Sequence, residues 1–190
     1  MNILFFAGSA EVPSYTLSLI NYIAARTRDL GHQPTVWDPI AIPLPICDPA
    51  YHHRPNLYPH ENAQWLFQNV RQADAIVLGS PLYHGSYSGV LKNAVDLLWY
   101  DAFKDKVVGL VSHASQAMGA YTPCTDLQTV ARTLYGTCIQ THVATAKSDY
   151  RQVNGELALA NDDIRSRVDR FVDELVFVTL ALAQARRATR

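Results

Sequence analysis

The residues of this chain best suited to chemistry lie in one stretch, Gly79-Ser80-Pro81-Leu82-Tyr83-His84-Gly85-Ser86-Tyr87-Ser88-Gly89. Pro81 stiffens the backbone, while Gly85 and Gly89 permit turns that a side chain would block. Tyr83, His84 and Tyr87 put aromatic surface and polar tips side by side. Such an edge suits a flat heteroaromatic ligand, which needs backbone amides for its polar atoms and a plane beside its face. His84 taken alone reads equally as a surface polar residue, although its proton affinity suits a switch.

Two other stretches have the same small, polar character. Gly8-Ser9-Ala10-Glu11-Val12-Pro13-Ser14-Tyr15-Thr16 joins an apolar run to a helical pattern. Free backbone N–H groups and the helix dipole favour an anion at such a junction, and Ser9, Ser14 and Thr16 add hydroxyls. The stretch is too short and too poor in glycine for a dinucleotide turn, and it has no Lys for a Walker-type loop. A single phosphate monoester is the natural guest, with Ser14 as a plain helix cap the alternative. Ser112-His113-Ala114-Ser115-Gln116-Ala117-Met118-Gly119-Ala120 is the third stretch, able to pass close to a ligand edge.

Positioning these stretches requires a framework, and the apolar runs supply one. Asn2–Ala7, Pro34–Asp38, Ala73–Gly79, Lys106–Ser112 and Thr137–Val143 read as strands, most of them apolar on both faces. Helical spacing recurs from Ser14 to a stop at Gly31, over Glu61–Gln72, Val90–Trp99 and Thr125–Leu134, and from Asn161 to Arg190. Between Pro39 and Pro59 the density of proline predicts one long irregular loop, well placed to overhang a ligand. The alternation predicts an α/β fold of flavodoxin-like type, a three-layer sandwich with a five-stranded parallel sheet of order 2-1-3-4-5, as one domain over residues 1–190. In that order the ligand crevice opens between strands one and three, where the stretches after Ala7, Gly79 and Ser112 meet.

Bulk composition narrows the function classes. A net charge of −1 offers no basic field for nucleic acid or for a membrane surface. Three scattered cysteines, Cys47, Cys124 and Cys138, form no C-x-x-C pair and read as packing residues of a reducing, cytoplasmic compartment. No leader is visible at the start, and the apolar run Leu175–Ala183 is too short to span a bilayer. His52, His53 and His60 lack a nearby Cys and a regular spacing, so no metal site is expected. Charged residues, at 17%, fall below the usual quarter, which points to a thick core or a subunit interface.

The combination of Gly8-Ser9 and Ser14 with the string Ser80-Pro81-Leu82-Tyr83-His84-Gly85-Ser86-Tyr87-Ser88-Gly89-Val90-Leu91-Lys92-Asn93-Ala94-Val95-Asp96 resembles the NADPH-dependent FMN reductase family. The resemblance runs from about Asn2 to Val143. It implies that Ser9, Ser14, Tyr15 and Thr16 receive the FMN phosphate, and that Pro81, Leu82, Tyr83, His84, Gly85 and Ser86 run along the flavin ring. Ser112 and Gly119 then border its far side, and Tyr83, His84 and Tyr87 shape the substrate pocket. It implies no catalytic side chain: hydride passes from NADPH through the flavin N5 to a small acceptor such as a quinone, azo dye or free flavin, by ping-pong kinetics. A homodimer or homotetramer is implied as well. Where the family usually has Arg in its first loop, this chain has Glu11. A carboxylate about 5 Å from a phosphate costs roughly 3 kcal/mol per unit charge at an effective dielectric near 20, so Glu11 is expected to turn into solvent. The rival readings are a flavin-binding electron carrier, which is usually more acidic, and a flavin-free interaction domain of the same fold.

Overall fold

Apolar side chains on both faces of the central strands force the sheet to be covered twice. The computed structural model of the chain describes residues 1–188. Its strands are β1 (Asn2–Ala7), β2 (Gln33–Trp37), β3 (Ala75–Pro81), β4 (Val107–Ala114) and β5 (Thr137–Ala146), all parallel in the order 2-1-3-4-5. Every residue of β3 and β4 is buried. Alternate residues face opposite layers, as the period of two requires. Leu4, Phe6, Ile76, Leu78 and Leu110 pack beneath α2 (Glu61–Gln72), α3 (Gly89–Asp96) and α4 (Thr122–Thr133). Ile3, Phe5, Val77 and Val111 pack against α1 (Tyr15–Asp29) and α5 (Asp162–Ala188), where Phe171 and Leu175 are fully buried.

Several boundaries differ from those the sequence suggests. β3, β4 and β5 each run two or three residues further, because Ser80, His113 and Thr145 are buried polar residues that continue an apolar strand. α3 ends at Asp96 and α4 begins at Thr122, with Pro123 in its first turn. Thr189 and Arg190, expected in the last helix, lie outside the described residues. Between β5 and α5 stands an unexpected antiparallel hairpin of β6 (Tyr150–Val153) and β7 (Glu156–Leu159).

The proline-rich segment also departs from expectation. It contains two short 3-10 turns, Pro49–Tyr51 and Pro55–Leu57, each opened by a proline whose fixed φ suits a helical start. Its middle is strapped to α3, while Ile40 at its start lines a cleft with Glu11, Pro13 and Ser14 of the first stretch. The Asn93 amide donates to the Pro45 carbonyl at 2.9 Å, its oxygen accepts the Cys47 N–H, and the Cys47 thiol donates to the Asp96 carbonyl. Its tip, His52 and His53, lies beside Val95, Leu98 and Tyr100.

Candidate functional site

The carboxyl ends of β1, β3 and β4 deliver the three polar stretches to one edge of the sheet. The first is drawn tight against the second. The Gly8 N–H donates to the Gly79 carbonyl at 2.8 Å, and the Ser88 hydroxyl donates to the Gly8 carbonyl. A Cβ at Gly8 would stand 2.6 Å from Leu91 Cβ and 2.8 Å from the Gly79 oxygen, so only glycine permits this approach. Beyond it, Ser14 caps α1 by accepting the Leu17 N–H at 3.1 Å. Ser9 is buried, and its oxygen accepts the Glu11 N–H at 3.3 Å. The Thr16 hydroxyl is buried with no hydrogen-bond partner. It sits in the first turn of α1, whose amides have no acceptors within the helix. Glu11 itself is exposed.

The second stretch begins inside β3, where Ser80 and Pro81 are fully buried. The Ser80 hydroxyl donates to the Pro81 carbonyl and accepts the Ser88 N–H at 2.9 Å. Leu82 donates its N–H to the His113 carbonyl at 2.7 Å, fastening the end of β3 to β4. Tyr83 and Ser86 then exchange backbone hydrogen bonds of 2.9 and 3.1 Å across His84-Gly85, whose φ angles are 49° and 87°. This is the tight two-residue turn that needs positive φ at both central positions. Tyr83, His84 and Gly85 stand exposed on it. Tyr87 does not join them: it is half-buried against the core beneath α2, α3 and α4.

The third stretch is braced internally. Ser112 turns its hydroxyl to the Ala120 carbonyl, and the buried Cys124 thiol donates to Ser112 Oγ at 3.3 Å. Burial pushes that thiol up to about 11, so it stays protonated and unreactive. Gly119, with φ of 79°, is exposed beside Leu82.

An aromatic cluster underpins this edge on the opposite face of the sheet, and the sequence reading missed it. The Tyr15 ring stacks on His113 with centroids 4.5 Å apart and 5° between planes, and Tyr150 meets both rings edge-on. The Tyr150 hydroxyl donates to Thr145 Oγ1 at 3.1 Å, and the Thr145 hydroxyl donates to the Ser112 carbonyl. With that proton committed, His113 Nδ1, 3.1 Å from Thr145 Oγ1, is the donor of its pair. Burial, reinforced by the Lys147 charge, lowers the His113 pKa to about 4, leaving the ring neutral at pH 7. Burial also raises Tyr150 well above its ordinary value. Asn154-Gly155, with φ of 52° and 84°, was the available signal for the hairpin that carries Tyr150.

Comparison with known proteins places this geometry in context. The model of the family described as NADPH-dependent FMN reductase matches residues 1–149. The chain is 34% identical over 174 residues to an FMN-dependent NADPH-azoreductase of Staphylococcus saprophyticus, covering 91% of this chain and 92% of that one. It is 33% identical, with the same coverage, to the FMN-dependent NADPH-azoreductase of Staphylococcus aureus. Among solved structures it resembles the apo form of an NADH:FMN oxidoreductase (EMOB), with a TM-score of 0.74 at 20% identity, covering 95% of this chain and 89% of that chain; at that identity the likeness speaks for the fold.

Two outcomes follow from the geometry. Gly8→Ala forces Leu91 and the Gly79 carbonyl apart and lowers stability by about 1–3 kcal/mol, the usual cost of overpacking, read from the urea midpoint. The His113 pKa is depressed on folding, so the unfolded chain binds more protons between about pH 6.5 and pH 4. Stability is therefore complete above 6.5 and declines as the pH falls, by on the order of 1–2 kcal/mol between pH 7 and pH 5. Urea titrations at the two pH values measure this, and His113→Phe flattens the difference.

Proposed function

The chain belongs to the NADPH-dependent FMN reductase family, and from that premise we propose that FMN occupies the crevice between the β1 and β3 loops, where NADPH and a small acceptor react in turn. It is an FMN-dependent NADPH oxidoreductase. The observation that carries the placement is the Thr16 hydroxyl, buried and unpartnered in the first turn of α1. An unsatisfied buried hydroxyl costs about 1–3 kcal/mol, and a phosphate oxygen is the acceptor that removes the cost. The hydroxyl proton of Ser9 likewise has no protein acceptor among the described residues. With the free amides at the start of α1, these groups suit a phosphate monoester.

When bound, FMN supplies the two-electron chemistry that the side chains here do not. The chain's own residues hold and orient. Ser9, Ser14, Tyr15 and Thr16 would hold the phosphate, Pro81, Leu82, Gly85 and Ser86 would hold the ring, and Ser112 and Gly119 would border it. Tyr83 and His84 on their exposed turn shape the acceptor pocket, and Tyr87, from its half-buried place, supports them. One crevice serving both substrates implies ping-pong kinetics. The azoreductase names of the staphylococcal relatives support an azo compound, beside quinones and flavins, as acceptor. Assembly as a homodimer or homotetramer belongs to the same proposal, as the family resemblance implies. No helix among the described residues is long and apolar enough to cross a membrane, and three free cysteines suit a reducing cytoplasm.

Protein incubated with FMN and desalted is expected to keep a flavin spectrum that NADPH bleaches without oxygen, with parallel lines in double-reciprocal plots against the acceptor. A colourless protein that leaves FMN fluorescence unquenched overturns the reading. Glu11→Gln is expected to tighten FMN about fivefold at low salt, the gain shrinking as salt screens an exposed charge; fluorescence titration at two ionic strengths measures it.

A further inference from the structure

The turn that presents Tyr83 and His84 has little to hold it. Nothing stands within 4 Å of where a Cβ on Gly85 would be, and Tyr83 is 47% exposed. Apart from its own two backbone bonds, its side-chain tie is a single one: the Ser86 hydroxyl donates to Asp126 Oδ2 at 2.6 Å, across forty residues of sequence. That length belongs to a charge-assisted hydrogen bond, about twice as strong as a neutral one. No cation pairs with Asp126 among the described residues, so the carboxylate answers to Ser86. The helix behind it is well anchored. Leu127 and Cys124 are fully buried, the Cys124 thiol reaches Ser112, and the Arg167 guanidinium lies 5.5 Å over the Tyr121 ring at the start of α4. The flanks of the turn, Leu82 and Ser88, are fastened to the sheet, and the fixed post of α4 holds the projecting Tyr83–Ser86 tip through one side-chain bond.

We propose that Asp126 is a positioning residue for the acceptor side of the site: through Ser86 it holds the Tyr83–Ser86 turn in the setting that faces the incoming acceptor. The inference rests on the flavin site proposed above. Without the strap the turn samples other settings, and the acceptor meets an ordered pocket only part of the time. Affinity for the acceptor then falls by the fraction of time the pocket is formed, while the chemistry of the bound state is little changed.

The test uses the FMN-loaded enzyme, saturating NADPH and 1,4-naphthoquinone as the probe acceptor. Asp126→Ala is expected to raise the quinone KM about tenfold and to leave kcat within about threefold, and Ser86→Ala to raise the quinone KM by a similar factor. The double variant is expected to be no worse than either single one, because both remove the same bond. Asp126→Asn, which keeps an acceptor oxygen for the Ser86 hydroxyl, restores most of the KM. An unchanged KM in Asp126→Ala, additive losses in the double variant, or an Asn variant as poor as the Ala variant each overturns the proposal. So does a rise in KM together with a fall in kcat that tracks a lowered melting temperature. A wild-type protein that takes up no FMN overturns the flavin site itself, which separates the two failures.

Discussion

The approach of β1 to β3 at Gly8 is the constraint on which the rest of this edge depends. The Gly8 N–H reaches the Gly79 carbonyl while its own carbonyl accepts the Ser88 hydroxyl. The Leu91 side chain fills the space that a Cβ would take. Because Ser88 also caps α3 by accepting the Leu91 N–H, one serine joins the first loop, the second loop and the start of a helix. Strand pairing alone would bring the two loops to the same edge. This contact sets their separation, and so the width of the crevice in which a ligand must lie.

A second regularity concerns where the hydroxyl groups are used. The polar string Ser80–Ser88 looks like a set of ligand contacts, yet Ser80, Ser86 and Ser88 give their side chains to Pro81, Asp126 and Gly8. Ser14 caps a helix and Ser112 braces the loop before α4. Ser9, Ser14 and Thr16 keep uncommitted protons. Small hydroxyl residues are therefore frequent here mainly because irregular loops must satisfy their own backbone close to a ligand. On the proposed flavin site, the second stretch would then offer backbone and aromatic surface to the ring, and the first would offer hydroxyl donors to the phosphate.

This division explains what could be read from the sequence. The sheet order was legible because β1, β3 and β4 are apolar runs ended by small residues. Strand ends were less so, since buried Ser80, His113 and Thr145 look like loop residues until their partners across the sheet are known. The β6–β7 hairpin escaped because most of its residues are exposed and carry no apolar alternation, although Asn154-Gly155 marked its turn. Asp126 escaped for another reason. A half-buried carboxylate on an amphipathic helix reads as surface, and its partner lies forty residues away.

The charge around the phosphate end follows from the same placement. Glu11, Asp38 and Glu156 line a cleft beside the first loop, with no basic residue among its walls. Lys147, on the turn after β5, brings its ammonium 6.0 Å from the Tyr15 ring. An anion at the start of α1 would thus be met by neutral donors and the helix dipole, with Lys147 beside the Tyr15 ring and the exposed carboxylates of Glu11 and Glu156 nearby. Neutral donors select shape and hydrogen-bond geometry without the long reach of a fixed positive charge. The exposed Glu11 works against any anion in proportion to its charge, so it weighs more on a phosphate dianion than on a neutral acceptor at the turn of Tyr83 and His84. Glu11 therefore bears on how firmly a phosphate is held, while Ser86 and Asp126 bear on how the acceptor is met.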